Sequence, residues 1–231
     1  MSDRASRPAG ADTAVLAVLT LCVAAVAVAM AATGRASALE AVSFGTGAVA
    51  VWLTVKENIW NFPIGLVNTA GYSVVFFQAR LYGDASLNVV YCILGVIGWY
   101  LWLHGGEQRS ALHVSRAGAV ESGLVAVAVA LSTLLLWKTL HFVGGSASFW
   151  DAATTSLSLG AQWLLNRKKL ENWHVWIVAD AIYVPLYVSR GLNLTALLYA
   201  VFLVMAAIGL FRWREVFQDQ RARSSSPVMA S

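Results

Sequence analysis

The sequence predicts an all-α membrane protein of about eight transmembrane helices, and three observations carry that reading. Of the 231 residues, 58% are hydrophobic and only 12% are charged, about half the charged share of a soluble domain. The apolar residues gather into runs of roughly 20, the length that crosses a bilayer as a helix. The alternating pattern of a membrane β-barrel is absent. A globular core of this size cannot hide so much apolar surface, so the bilayer is the solvent that accepts it.

Eight runs qualify: about 13–33, 38–55, 59–79, 84–104, 118–141, 149–166, 171–190 and 193–213. The first has Arg4 and Arg7 before it and Ala36-Ser37-Ala38 after it, as a cleavable signal peptide would. Its apolar stretch Ala14–Ala32 is 19 residues long, beyond the ~7–15 of a signal core, and reads as a retained helix. Lysine and arginine set the orientation. Arg4, Arg7, Lys56, Arg109, Arg116, Arg167, Lys168, Lys169, Arg212, Arg214, Arg221 and Arg223 share one side, against Arg35, Arg80 and Arg190 on the other. Positive charge stays inside, which puts both termini in the cytoplasm. Lys138, near the outer end of the fifth run, can snorkel.

Sliding the sequence on itself by 111 residues pairs 40–102 with 151–213, and 15 of these 63 positions are identical, Trp52/Trp163, Asn61/Asn172, Tyr72/Tyr183, Gly98/Gly209 and Trp102/Trp213 among them. Three helices recur, and the fifth run connects the copies. A three-helix unit ends on the side opposite its start, so one connecting helix makes the two units parallel, as in SWEET-like carriers, with substrate expected between them near the midplane. The expected parts are an N-terminus and extra helix over 1–37, a first repeat over 38–104, a linker with connecting helix over 105–148, a second repeat over 149–213, and a disordered cytoplasmic tail over 214–231.

The seventh run carries the most informative stripe. Trp173, Trp176, Asp180, Tyr183 and Tyr187 are spaced 3, 4, 3 and 4 apart, which puts them on one helix face. A bare carboxylate at membrane depth costs at least about 2.5 kcal/mol, so Asp180 should face a partner or a wet cavity. Packing would place the same residues on a neighbouring helix; the charge sharing a face with the aromatics favours a site. Pro185 should kink this helix. The third run offers Asn61, Gly65, Asn68 and Tyr72 at helical spacing, with Trp60 beside Asn61 at its mouth; interhelical hydrogen bonds are the plain alternative for the asparagines. The fourth presents Asn88, Cys92, Gly95, Trp99 and Trp102 on one face. Asn88 is its polar member, and Trp102 suits an interfacial belt. The sixth adds Gln162, with Ser156 and Ser158 as packing residues.

Other chemistry has little footing. Cys22 and Cys92 sit in apolar runs, so no disulfide framework is expected. His104, His113, His141 and His174 lie in loops or at helix ends, without metal-ligand spacing, and no metal or other cofactor is expected. No nucleophile elbow, zinc-protease motif or phosphate-binding glycine loop occurs. The net charge of +4 is spent on orientation and does not imply nucleic acid. Tryptophan and tyrosine faces hold flat rings, cationic ones best. Amides read carboxamides and hydroxyls, and a carboxylate balances a cation. Phosphate would be poorly served without a deep cation. The residues therefore describe a site for a flat, polar, possibly cationic molecule without phosphate.

Asn58-Ile-Trp-Asn-Phe-Pro-Ile-Gly65, Gln78-Ala-Arg-Leu-Tyr-Gly-Asp84 and Gly98-Trp-Tyr-Leu-Trp102 resemble segments of PnuC-type vitamin transporters. So do Glu171-Asn-Trp-His-Val-Trp-Ile-Val-Ala-Asp180, Tyr183, Pro185-Leu-Tyr187 and Leu194-Thr-Ala-Leu-Leu-Tyr199. The resemblance covers roughly 40–213. It implies a SWEET-like three-one-three core, a homotrimer in the lipid bilayer of the bacterial inner membrane, and facilitated diffusion of nicotinamide riboside, which is trapped inside by phosphorylation. Where many riboside carriers have Leu-Gln in the fourth helix, this chain has Leu87-Asn88, so a hydrogen bond there lengthens or passes through water. Thiamine and riboflavin, carried by relatives, are the alternatives. From other classes, a lipid-acting membrane enzyme would need a nucleophile with a base in reach, and a retinal-type photoreceptor would need a lysine deeper than Lys138.

Overall fold

The computed structural model describes residues 9–34, 37–78, 80, 82–142, 149–191 and 193–225. Arg4, Arg7, Arg35 and Ala36, the linker stretch 143–148 and the end of the tail, 226–231, lie outside the described residues. Eight long helices follow one another: α1 (Ala9–Ala32), α2 (Ala38–Val55), α3 (Asn61–Gln78), α4 (Tyr82–His104), α5 (Ala119–Phe142), α6 (Phe149–Asn166), α7 (Asn172–Ser189) and α8 (Asn193–Ser225). Helices α2 and α6 begin and end where their apolar runs do. Ser37 caps α2 by accepting the Glu40 N–H at 3.2 Å, the first half of a Ser-x-x-Glu capping box.

Among the described residues, five helices are long and apolar enough to cross a membrane: α1, α2, α4, α5 and α8. Helices α3, α6 and α7 are each 18 residues long, about 27 Å at the helical rise. They fall short in hydropathy because they carry the polar stripes. The tail differs from expectation. Instead of ending near 213, α8 stays helical to Ser225. Most of Arg214–Arg223 is arginine, glutamate, glutamine and alanine, all good helix formers, and Asp219 stands four residues before Arg223, the favourable order for a helical ion pair.

The chain divides into two compact units, Met1–Cys92 and Ile93–Ser231, with the boundary inside α4. In the first, α1 packs on α2 and α2 on α3. In the second, α5 packs on α6, α6 on α7, and α7 on α8.

The turn from α2 to α3 in the first unit and the turn from α6 to α7 in the second have the same hydrogen bonds, residue for residue, at the 111-residue shift. The Asn58 N–H donates to Leu53 O and the Lys169 N–H to Leu164 O, both at 2.9 Å. The Glu57 N–H donates to Thr54 O at 3.0 Å and the Lys168 N–H to Leu165 O at 2.8 Å. This double closure is a Schellman motif, which needs a left-handed residue at its turn, and Glu57 and Lys168 both sit at φ 54°. Asn61 Nδ2 then donates to Asn58 O at 2.7 Å and Asn172 Nδ2 to Lys169 O at 2.6 Å. Even the cation over the last tryptophan recurs: Lys56 lies 4.9 Å from the Trp52 ring and Arg167 5.7 Å from the Trp163 ring.

The second unit closes one end with indoles and a strap. Trp213 is fully buried, edge-on to Trp173 at 5.4 Å and tilted against Trp102 at 5.9 Å. Trp102 is 3% exposed and donates its indole N–H to Leu165 O at 3.0 Å, so it is a packed inner residue and not the belt residue its position suggested. The strand-like stretch after α4 crosses the α6–α7 turn: the Ser115 N–H donates to Lys168 O at 3.1 Å and the Leu170 N–H to Ser115 O at 2.8 Å. Glu171 fastens it further, accepting from Arg116 Nε at 3.1 Å and the Ala117 N–H at 2.7 Å. Burial pushes the Glu171 carboxyl up, but the Ala117 and Arg116 bonds outweigh it and hold the carboxyl below the ordinary glutamate range.

Candidate functional site

The second unit gathers polar side chains on three helices. On α6, Thr154, Ser158, Gln162 and Asn166 recur every four residues, which forms one ridge. Thr154, Ser158 and Asn166 are buried, at 0%, 4% and 1% exposure. The α7 stripe packs against α6, with the Tyr183 hydroxyl in the neighbourhood of Thr154 and Ser158; Thr154 Oγ1 itself donates back to Trp150 O at 2.8 Å. From α8 comes Tyr199, whose ring centroid lies 4.4 Å from that of Tyr183 and 5.1 Å from that of Tyr187. Tyr183 and Tyr187 stack at 5.6 Å. Asp180 stands one turn before Tyr183, 3% exposed and within electrostatic reach of Tyr183 and Tyr199. Arg190 closes the far end of α7 on Asp151 of α6.

The predicted residues divide by where they fall. Asp180, Tyr183 and Tyr187 come together in this cluster, Gln162 lies on the α6 ridge bonded to Asn166, and half-buried Trp176 lies one turn before Asp180 on the same face. Trp173 does not join them. Its ring is 2% exposed, wedged against Trp213 and Gly209, where a Cβ would meet the indole at 2.6 Å. A planar ligand has no face of Trp173 to stack on, so the expectation of a stacking indole passes to Trp176. Trp99 is 36% exposed on α4.

In the first unit, Trp60 is 62% exposed at the start of α3, and Asn61 is consumed by its turn. The Asn68 side chain donates to Ser43 O of α2, the interhelical role weighed against ligand binding. Tyr72 stacks on Phe76 at 5.5 Å, and Thr69 Oγ1 lies 3.1 Å from Cys92 Sγ. Asn88 is half-buried on α4. Among the described residues no group of three or more histidine, cysteine, aspartate or glutamate side chains could hold a metal ion.

Asn166 and Tyr199 were missed as site residues, and Thr154 was not singled out. The four-residue period from Thr154 to Asn166 was visible. The internal repeat also sets Tyr199 at the position of Asn88, so a site residue in one copy pointed to the other.

Among the described residues one carboxylate is buried, Asp180, beside a tyrosine cluster and a polar ridge in an apolar helical chain, a composition suited to a multi-pass membrane carrier of small molecules. Residues 37–215 match the family described as nicotinamide mononucleotide transporter, and the chain belongs to that family. It is 26% identical over 214 residues to the nicotinamide riboside transporter PnuC of Escherichia coli strain K12, covering 81% of this chain and 90% of that one. A PnuC of the same description from Neisseria mucosa is 27% identical over 191 residues, covering 77% and 72%. The riboflavin/roseoflavin transporter RibM of Streptomyces davaonensis is 25% identical over 191 residues, covering 79% and 85%. A crystal structure of the vitamin B3 transporter PnuC superposes with a TM-score of 0.70 at 24% identity, over 88% of this chain and 92% of that one. That likeness shows the fold.

Proposed function

We propose that this chain carries nicotinamide riboside across the bacterial inner membrane by facilitated diffusion, with alternating access to a site that includes Asp180, Gln162, Trp176, Tyr183 and Tyr187, and with Trp99 contributed by α4. The observation that carries the reading is the buried Asp180 among tyrosines, with no lysine or arginine on the α6 ridge or the α7 stripe. A carboxylate held away from water needs a positive partner, and a pyridinium ring brings one. Aromatic faces attract the same ring, and the amides of the ridge read its carboxamide and ribose. Phosphate would meet the Asp180 charge and no cation, which favours the riboside over the mononucleotide in the family's description. Two of the relatives above are described as riboside carriers.

The architecture that fits is two parallel three-helix repeats, α2–α4 and α6–α8, joined by α5, with α1 as an extra helix. The matching turns at 53–62 and 164–173 support the repeat. The charge asymmetry supports cytoplasmic termini, and the family resemblance implies a homotrimer. The deciding experiment is a binding screen of purified protein against nicotinamide riboside, its mononucleotide, thiamine and riboflavin. The riboside should bind tightest; tighter thiamine or riboflavin would replace the substrate while leaving the carrier.

A further inference from the structure

Gln162 can face a ligand in two ways, with its oxygen or with its amino group, and the structure decides which. Leu94 O, on α4, can only accept a hydrogen bond, and Asn166 stands 2.8 Å from it. Asn166 must therefore present its Nδ2 to Leu94, which turns its Oδ1 the other way. That oxygen lies 2.9 Å from the Gln162 amide, and an oxygen there requires an N–H opposite. Gln162 is thus held with Nε2 toward Asn166 and Oε1 turned away as an acceptor. Asn166 is 1% exposed, so water does not compete for its bonds.

We infer that Asn166 is a positioning residue that fixes Gln162 as a hydrogen-bond acceptor, so that the site selects substrates bearing a donor at that point. The donor is an amide N–H or a sugar hydroxyl. The inference rests on the reading of Gln162 and Asp180 as one substrate site. It adds a rule of selection: a substrate analogue of equal size and charge that lacks the donor is rejected, because its oxygen or methyl group leaves Gln162 Oε1 unpaired. Another member of the ridge agrees. Thr154 Oγ1 is occupied with the backbone of its own helix, donating to Trp150 O at 2.8 Å, whereas the Gln162 amide oxygen is turned away from Asn166. The repeat-equivalents of Gln162 and Asn166 are Val51 and Val55, so the first unit offers no second copy of the pair.

The test compares Kd values for nicotinamide riboside, 3-acetylpyridine riboside (a methyl group replacing the amide nitrogen, with ring charge retained) and the 2′-deoxyriboside, all on the same purified protein. Ratios within one sample cancel any inactive fraction. The intact protein should discriminate against at least one analogue by about tenfold. Asn166→Ala should cut that ratio to about threefold or less, because Gln162 is then free to rotate. Adding Gln162→Glu to Asn166→Ala should restore it, since a carboxylate accepts in either orientation. Gln162→Leu, which leaves the Asn166–Leu94 bond intact, should lose the ratio as well. A general loosening of the fold predicts neither the restoration nor the Gln162→Leu result. An unchanged ratio in both Asn166→Ala and Gln162→Leu, or no restoration in the double variant, overturns the inference. Failure of the intact protein to bind any of the ribosides overturns the proposed function instead.

Discussion

The two turns 53–62 and 164–173 share a backbone, yet the helices they join have diverged in chemistry. In the second unit Thr154, Gln162, Asn166, Asp180, Tyr187 and Tyr199 stand where the first has Ser43, Val51, Val55, Thr69, Phe76 and Asn88. An aromatic pair persists as a ring stack in both, at 5.5 Å for Tyr72–Phe76 and 5.6 Å for Tyr183–Tyr187. What is kept is the geometry that orders a helix end, and it is kept at a cost. A non-glycine residue in the left-handed region is disfavoured by about 1–2 kcal/mol, and both copies accept this at Glu57 and Lys168. What is released is the lining. A pair of repeats can thus hold one fold while concentrating charge in a single copy.

The largest expected effect breaks that asymmetry at its centre. Asp180→Asn keeps the shape and removes the charge, and should weaken riboside binding by at least about 2 kcal/mol, the scale for losing one partner of a buried charge pair. Thr69→Val, the same repeat position in the first unit, should cost less than about 1 kcal/mol. Titration of both variants by isothermal calorimetry decides it. Equal losses would mean that the two copies share the charge-binding role.

The indoles of α7 sharpen the same comparison. Trp176→Ala should weaken binding by roughly 1–3 kcal/mol, as for aromatic stacking on bases, and should remove most of the fluorescence quenching by the riboside. Trp173→Ala should instead cost stability, about 3–5 kcal/mol for emptying a packed indole site, read as a lowered Tm. If Trp173→Ala left Tm unchanged and abolished quenching, the roles would be reversed. For the mononucleotide, a lining without cations predicts affinity lower by about tenfold, or ~1.4 kcal/mol. Equal affinities would require a cation such as Lys138 to reach the site.

These cases also show what the sequence could and could not disclose. Helix positions were legible because apolar length is a local property; α2 and α6 end where their runs end. The α7 stripe was legible as one face for the same reason. Which part of that face packs and which part lines a site was not legible. The answer depends on Gly209 and Trp213 leaving a slot that Trp173 fills, and both are more than 35 residues away. The role of Asn166 was hidden in the same manner, since it is fixed by a carbonyl 72 residues earlier. The strap over the α6–α7 turn had no sequence signal at all, because backbone bonds are made by every residue type.

A smaller effect belongs to that strap. The Glu171 carboxyl is held below the ordinary range by the Ala117 and Arg116 bonds. The stability it contributes is therefore fully present above the unfolded pKa of a glutamate and is lost as pH falls through the lower folded value. Tm measured downward from neutral pH should decline in the acidic range, and Glu171→Gln should flatten part of that decline. The first unit's turn has Trp60 at the equivalent position, so Trp60→Gln should leave the acid decline unchanged. An identical acid profile for Glu171→Gln would remove the carboxylate from the strap's stability.

The smallest expected effect is none, and it concerns coupling. Transport should be indifferent to imposed proton and sodium gradients, because the second unit places a single carboxylate in its lining and the first places Thr69 at the matching position. Proton relays in membranes run through chains of aspartate, glutamate or histidine, and the groups within electrostatic reach of Asp180 are the hydroxyls of Tyr183 and Tyr199. With a cationic substrate, Asp180 serves as the counter-charge in each direction of the cycle, so no separate ion has to accompany the riboside. The measurement is uptake of labelled riboside into proteoliposomes with membrane potential clamped, since a permanently cationic substrate responds to potential even through a passive carrier. Uptake should stop at the external concentration with either gradient present, and Asp180→Asn should lower the rate without creating a response to pH. Accumulation above the external concentration under a proton gradient would turn Asp180 into a coupling site. The comparison of the two repeats would then change meaning, because the second would be the copy that carries the driving ion as well as the substrate.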